Sequence, residues 1–298
     1  MKLNLLLFTL FLILLFFYPK NDTYLGPIAI AENATASLHN LSADPNPFLE
    51  ITGTILNYEN GEGTITENNF WTGDKTTIGT IEENGNFNIP LDQDFFTTVK
   101  KKMAAEEKDV PKGGVLNYHR VNTVFTCDSE GFGYKNTTEH INDSISVITY
   151  PRYAETNQAA FKNGESIILK LPLLYLTDKQ GDSHSLLYAA STPELAAWMR
   201  SSGVGDINTG YYLEWIFVEN AATVQGVCAI PTITKNGEEY TNTTNTDLEL
   251  QAGWNIIKHD ITDVYTSTEG QTKAEMTRIS VISELPKDLK WFAINQEY

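Results

Sequence analysis

The sequence predicts a mainly-β protein, built as one or two antiparallel β-sandwich units with two short helices. Three observations carry that expectation. The 298 residues include 34 Thr and 25 Asn, about a fifth of the chain; Thr suits half-exposed strand faces and Asn suits turns. The triplet Gly-Thr-Ile occurs at Gly53, Gly63 and Gly79, each time inside or at the start of a short extended run. Apolar and polar residues alternate over several stretches, which is the two-residue period of a strand. With 41% hydrophobic and 20% charged residues, the chain has enough apolar material for a packed core.

The first segment reads as an export signal. Lys2 precedes an apolar run at 5–18, 14 residues broken only by Thr9 and ended by Pro19. A signal-peptide core needs about 7–15 apolar residues, a membrane-spanning helix about 20. Ala29-Ile30-Ala31 and Ala34-Thr35-Ala36 have the small-x-small form of a cleavage site. Neither follows the apolar core closely, which keeps an uncleaved N-terminal anchor as the competing reading. The expected division is a signal peptide at 1–31, a linker at 32–47, an N-terminal β unit at 48–143 with a helix near 94–108, and a C-terminal β-sandwich at 144–298. The mature chain is expected to carry no transmembrane domain and to be secreted or periplasmic.

Residues 49–91 read as a small antiparallel meander, because Asn60-Gly61 and Asn84-Gly85 fall between extended runs and Asn-Gly is a strong hairpin signal. Beyond Gly85, Phe87, Ile89 and Leu91 share one face and Asn86 and Asn88 the other, with Pro90 marking a strand end or edge. The first helix, near 94–108, is capped by Asp92 or Asp94 and stops before Pro111-Lys112-Gly113-Gly114. The second, 193–201, has Thr192 as N-cap, Pro193 at its first position, Glu194 in its first turn and Gly203 past its end. Strands are expected at 144–149 and, as one long buried run, at 166–176. In 211–218, Tyr211, Leu213, Trp215 and Phe217 alternate with Tyr212, Glu214, Ile216 and Val218. Residues 248–250 and 254–259 are expected to form a hairpin around 251–253, with Gly253 at positive φ and the Trp254 ring aimed at the core. Strands at 277–283 and 290–294, separated by a turn through Pro286, close the chain.

The net charge of −17, with only Arg120, Arg152, Arg200 and Arg278 as arginines, excludes nucleic-acid backbones as partners. Lys100-Lys101-Lys102 is the one cationic cluster and reads as a solvated helix face. No histidine pair has metal spacing, and no phosphate-binding glycine loop is present. Gly181-Asp182-Ser183-His184-Ser185 lacks the second glycine of a nucleophile elbow, so the loop reads as a solvated turn. No catalytic residue and no metal ligand is assigned. No cofactor is expected either; calcium suits acidic loops of exported proteins, but Asp178–Asp182 does not match an EF-hand and no residues are assigned to it.

Two features remain. Tyr211, Trp215 and Phe217 share a strand face and form a candidate ligand platform of the kind carbohydrate-binding sheets use; a core stripe has the same pattern and is the stronger reading. Cys127 and Cys228 are 101 residues apart, and an oxidising compartment lets them pair. The alternatives are two buried thiols, or a catalytic Cys without CxxC spacing or a matching His signature.

Residues 50–91 (EITGTILNY…GTIEENGNFNIPL) and 211–258 (YYLEWIFVENAATVQGVC…LELQAGWNIIK) together resemble modules of uncharacterised exported bacterial β-sandwich proteins, over about 90 of the 298 residues. The resemblance implies an exported, β-rich protein and carries no activity. The expected function is non-enzymatic binding of a protein, glycan or surface partner at the cell envelope or outside the cell. The competing classes are a glycan-directed hydrolase with an acid pair not visible in sequence, and a structural subunit of an envelope or appendage assembly.

Overall fold

The computed structural model describes residues 50–68, 75–106, 118–127, 137–142, 145–149, 157–234 and 236–295. The expected signal peptide and linker lie outside the described residues. Ala43–Tyr298 form one compact unit. Its elements, in order, are β1 (Glu50–Thr54), β2 (Gly63–Asn68), β3 (Lys75–Ile81), β4 (Asn86–Pro90), α1 (Phe95–Glu106), β5 (His119–Arg120), α2 (Val121–Val124), β6 (Thr137–Asn142), β7 (Ile145–Thr149), β8 (Gln158–Lys162), β9 (Ile167–Lys170), β10 (Tyr175–Asp178), β11 (Ser183–Ala190), α3 (Pro193–Arg200), β12 (Gly210–Val218), β13 (Ala222–Ile233), β14 (Glu239–Leu250), β15 (Gly253–Thr266), β16 (Thr272–Ile282) and β17 (Lys290–Asn295). The fold is mainly β, as expected, with the single turn α2 added to the two expected helices.

The strands join in one mixed hydrogen-bonded network. One part runs β1-β4-β3-β2-β10-β11-β17. It returns on itself through a parallel bridge between Ile55 and Trp291, where the Leu56 N–H donates to the Trp291 carbonyl at 2.8 Å. The other part runs β5-β9-β12-β15-β16-β14-β13-β8-β7-β6, antiparallel except for β14 with β16. Strands from the two halves of the chain interleave: β2 pairs with β10, and the expected boundary at 143 falls inside the β6–β7 hairpin.

Strand β12 carries the architecture because both of its faces are covered. Tyr211, Leu213, Trp215 and Phe217 point into a core shared with Ile51, Ile65, Phe87, Leu176, Trp254 and Trp291. Ile216 and Val218, on the opposite face, pack with Phe161, Val224, Leu248 and Ile257 in a second core. A third, smaller core forms where Leu195 and Ala196 of α3 meet Ile207, Ile261 and Phe292.

Local signals set several elements as expected. Thr192 Oγ1 accepts the Leu195 N–H at 3.3 Å, Pro193 opens α3, and Gly203 lies beyond it at φ 81°. Asp92 begins α1 by accepting the Asp94 N–H at 2.8 Å and the Thr98 hydroxyl at 2.6 Å. Its Lys100 and Lys101 are exposed, with the Lys100 ammonium 4.0 Å over the Phe96 ring. Asn84-Gly85 turns β3 into β4, and Phe87, Ile89 and Leu91 are all buried.

Three expectations change. The long strand at 166–176 is two, β9 and β10, broken around Pro172, which has no N–H to give a ladder and restricts its neighbour. Asn60-Gly61 does not make a hairpin, because β1 pairs with β4 and β2 with β3 and β10. Residues 251–253 are a corner between sheet segments: Leu250 pairs with Ala222 on β13, whereas Gly253 pairs with Val218 on β12. Buried Asn255 holds that corner, accepting the Gln251 N–H at 2.9 Å and donating to the Gln251 and Gly253 carbonyls at 2.8 and 3.0 Å. Gly253 has the expected positive φ, 95°.

Candidate functional site

A cleft of about 580 Å³ lies on the outer face of β2, β3 and β10 and at the β10–β11 turn. Strand alternation explains its lining. Ile65 and Leu176 point inward and are fully buried, so their neighbours Thr64, Thr66 and Thr177 point out. The register places Thr80 opposite Thr64 and Thr64 opposite Thr177, a transverse row of three threonines across three strands. Thr77 stands opposite Thr66.

The floor of the cleft is a hydroxyl relay. Thr66 and Thr177 hydroxyls lie 3.0 Å apart, and Thr177 and Ser183 hydroxyls are also 3.0 Å apart. Such chains satisfy buried polar groups and fix side-chain rotamers. Thr64, Thr77 and Thr80 make no such side-chain bond among the described residues. The rim carries Glu62, Lys75, Asp178 and Lys179. Lys179 pairs with Glu62 at 2.7 Å and holds that exposed carboxyl below its ordinary value. Lys75 donates to the Gly181 carbonyl at 2.8 Å, and Asp178 accepts the Gln180 and Asp182 N–H groups, each at 2.9 Å. The Asp178–Asp182 loop is thus a closed turn, as expected. Ser183 bonds Thr177, while His184 Nδ1 lies 2.9 Å from the Ser185 hydroxyl and 3.3 Å from Asn60 Nδ2. Burial moves His184 below its ordinary value, against the pull of Asp178.

A second polar group sits on β12 and β15. His259 Nε2 and Glu214 Oε2 are 3.0 Å apart, Lys170 of β9 reaches Glu214 at 3.2 Å, and the Tyr212 ring stacks on His259 at 4.5 Å. Burial alone would raise the Glu214 carboxyl, but the His259 bond and charge and then Lys170 outweigh it and hold it at about 2. Burial raises Tyr212, with Glu214 adding to the shift.

A third group links two hairpin tips. Glu238, beyond β13, accepts from the Tyr265 and Thr268 hydroxyls, from the Asn236 amide, and from the Thr268 N–H at 3.1 Å to both oxygens. The Thr268 and Tyr265 bonds are the main cause of a pKa of about 2, against an ordinary 4.5. A lowered carboxyl adds stability above its unfolded-state value, and the contribution disappears as pH falls toward the folded value. The expected result is a Glu238 side-chain carbon titrating near 2 by NMR, and rising toward 4.5 in a Tyr265→Phe, Thr268→Ala variant. A wild-type midpoint already at 4.5 would mean that the clasp does not form in solution.

The candidate platform is packed. Tyr211 is 7%, Trp215 5% and Phe217 8% exposed. Trp215 stacks on Trp291 at 5.4 Å and Phe217 meets Trp254 edge-on at 5.6 Å. The Tyr211 hydroxyl donates to Asp288 at 2.8 Å. Cys127 and Cys228 lie at disulfide distance, Cα to Cα 5.5 Å. No group of three metal-ligating side chains occurs among the described residues. Sequence reasoning noted the Gly-Thr-Ile triplets but missed the cleft, because only the fold pairs two of them antiparallel, with Gly63 opposite Ile81, Thr64 opposite Thr80 and Ile65 opposite Gly79. No protein-family model matches the chain, and no curated protein or solved structure matches it.

Proposed function

We propose that this is an exported, non-enzymatic binding protein that takes a protein, glycan or surface partner at the cell envelope or outside the cell, through the β2–β3–β10 cleft. The cleft carries the reading: it is concave, of the volume usual for ligand sites, and fixed on strands whose inward residues are core. The signal-like pattern at 1–31 supports export, as does the cysteine pair at disulfide distance. No helix among the described residues is long and apolar enough to cross a membrane.

Binding is favoured over hydrolysis in the cleft because its two carboxylates are both tied within the protein, Glu62 to Lys179 and Asp178 to two backbone N–H groups. Lys179 also holds Glu62 below its ordinary value, whereas a general acid for glycoside cleavage needs a raised carboxyl. The test is co-sedimentation of the purified chain with the envelope fraction of the cells that make it. Wild type is expected in the pellet, and a Thr77→Glu, Thr80→Glu variant at least tenfold less. Equal sedimentation of the two would remove the cleft from the binding site. Breakdown of the envelope glycan by the purified protein would replace the reading with hydrolysis.

A further inference from the structure

Resting on that reading, we infer that the partner group held in the cleft is an uncharged, hydroxyl-rich sugar chain. Charge balance is the first argument. The lining holds two carboxylates, Glu62 and Asp178, and two ammonium groups, Lys75 and Lys179, inside a chain of net charge −17. All four are engaged within the protein: Lys179 with Glu62, Lys75 with the Gly181 carbonyl, and Asp178 with two backbone N–H groups. The two ammonium groups are balanced by the two carboxylates, so an anionic partner would meet no net positive charge there, and the acidic protein around it repels anions. A cationic partner would meet Lys75 and Lys179 on the same rim, so neither sign of charge is matched by the lining.

The chemistry of the free groups is the second argument. A threonine hydroxyl both donates and accepts, and so does a sugar hydroxyl. Thr64, Thr77 and Thr80 present such groups on strands spaced about 4.8 Å apart, so one partner chain can meet several in register. The buried Thr66 and Thr177 hydroxyls already bond each other beside them, which leaves the ligand to Thr64, Thr77 and Thr80. An apolar partner would strip water from these hydroxyls without replacing its bonds, a cost that a polyol avoids. The threonine methyls in the lining give the C–H faces of a sugar ring an apolar surface.

The experiment uses the full chain and the same envelope fraction in three forms: untreated, oxidised with periodate to cleave vicinal diols, and digested with protease. Binding is expected to fall at least tenfold after periodate, to survive protease, and to change less than twofold between 0.05 and 0.5 M NaCl. A Thr77→Val, Thr80→Val variant, which removes two exposed hydroxyls and keeps the shape, is expected to bind at least fivefold more weakly with an unchanged unfolding midpoint. Binding that survives periodate and is lost to protease would overturn the sugar assignment and leave the cleft as a protein-binding site. Binding abolished by salt would likewise overturn it in favour of a charged ligand. If the untreated fraction does not bind wild type at all, the assignment and the function beneath it both fall.

Discussion

Trp254→Ala is expected to cost about 3–5 kcal/mol of folding stability, the range for truncating a large buried aromatic side chain. Trp254 is 2% exposed and opens β15 directly after Gly253. Its ring lies 4.7 Å from Phe95 and 5.6 Å from Phe217, so it joins helix α1 to the β12–β15 layer. The indole N–H also donates to the Asp92 carbonyl at 2.9 Å, at the residue whose side chain caps α1. Truncation therefore opens a cavity and removes the donor bonded to a partly buried carbonyl, two losses that add. Urea unfolding should show a lower midpoint with a similar slope. Trp254→Phe keeps most of the packing without the N–H and should fall between wild type and Ala. An Ala variant within 1 kcal/mol of wild type would show that the ring is not a core member.

Replacing both Cys127 and Cys228 by Ala is expected to cost about 2–5 kcal/mol. The sequence separation is 101 residues and the Cα distance 5.5 Å, inside the range a disulfide spans without moving the backbone. The bridge ties the segment after α2, whose Val121 lies in the second core, to β13, whose Val224 lies in the same core. In the chain-entropy view, closing a loop of that size restricts the unfolded chain, so the loss appears as a lower unfolding midpoint. For a chain of this size the drop is on the order of 10 °C. Alkylation of the purified protein should block no thiol before reduction and two after it. Two free thiols in that material would refute the bridge.

Much of the local structure was legible. The α3 cap is written within a few residues: Thr192, Pro193, Glu194, and Gly203 beyond. The β4 face shows in the alternation of Phe87, Ile89 and Leu91, and the positive φ of Gly253 in the turn it occupies. The break in 166–176 was also present in Pro172, but the apolar run around it has the composition of one buried strand. The cleft was not legible, because its threonines look like any half-exposed strand face until β2 finds β10.

The sequence by itself determined the strand content, the cap of α3, the acidic balance and a cysteine pair able to meet, because each depends on composition or on residues close along the chain. Only the tertiary structure decided what covers each face. A period of two says that Tyr211, Trp215 and Phe217 share a side, but their burial depends on Trp254 and Trp291 arriving from elsewhere. The same alternation on β2 leaves Thr64 facing outward in a concave surface, because Thr66 meets Thr177 across 111 residues of sequence. Alternation fixes which side chains lie together, and long-range pairing fixes whether that side meets core or water.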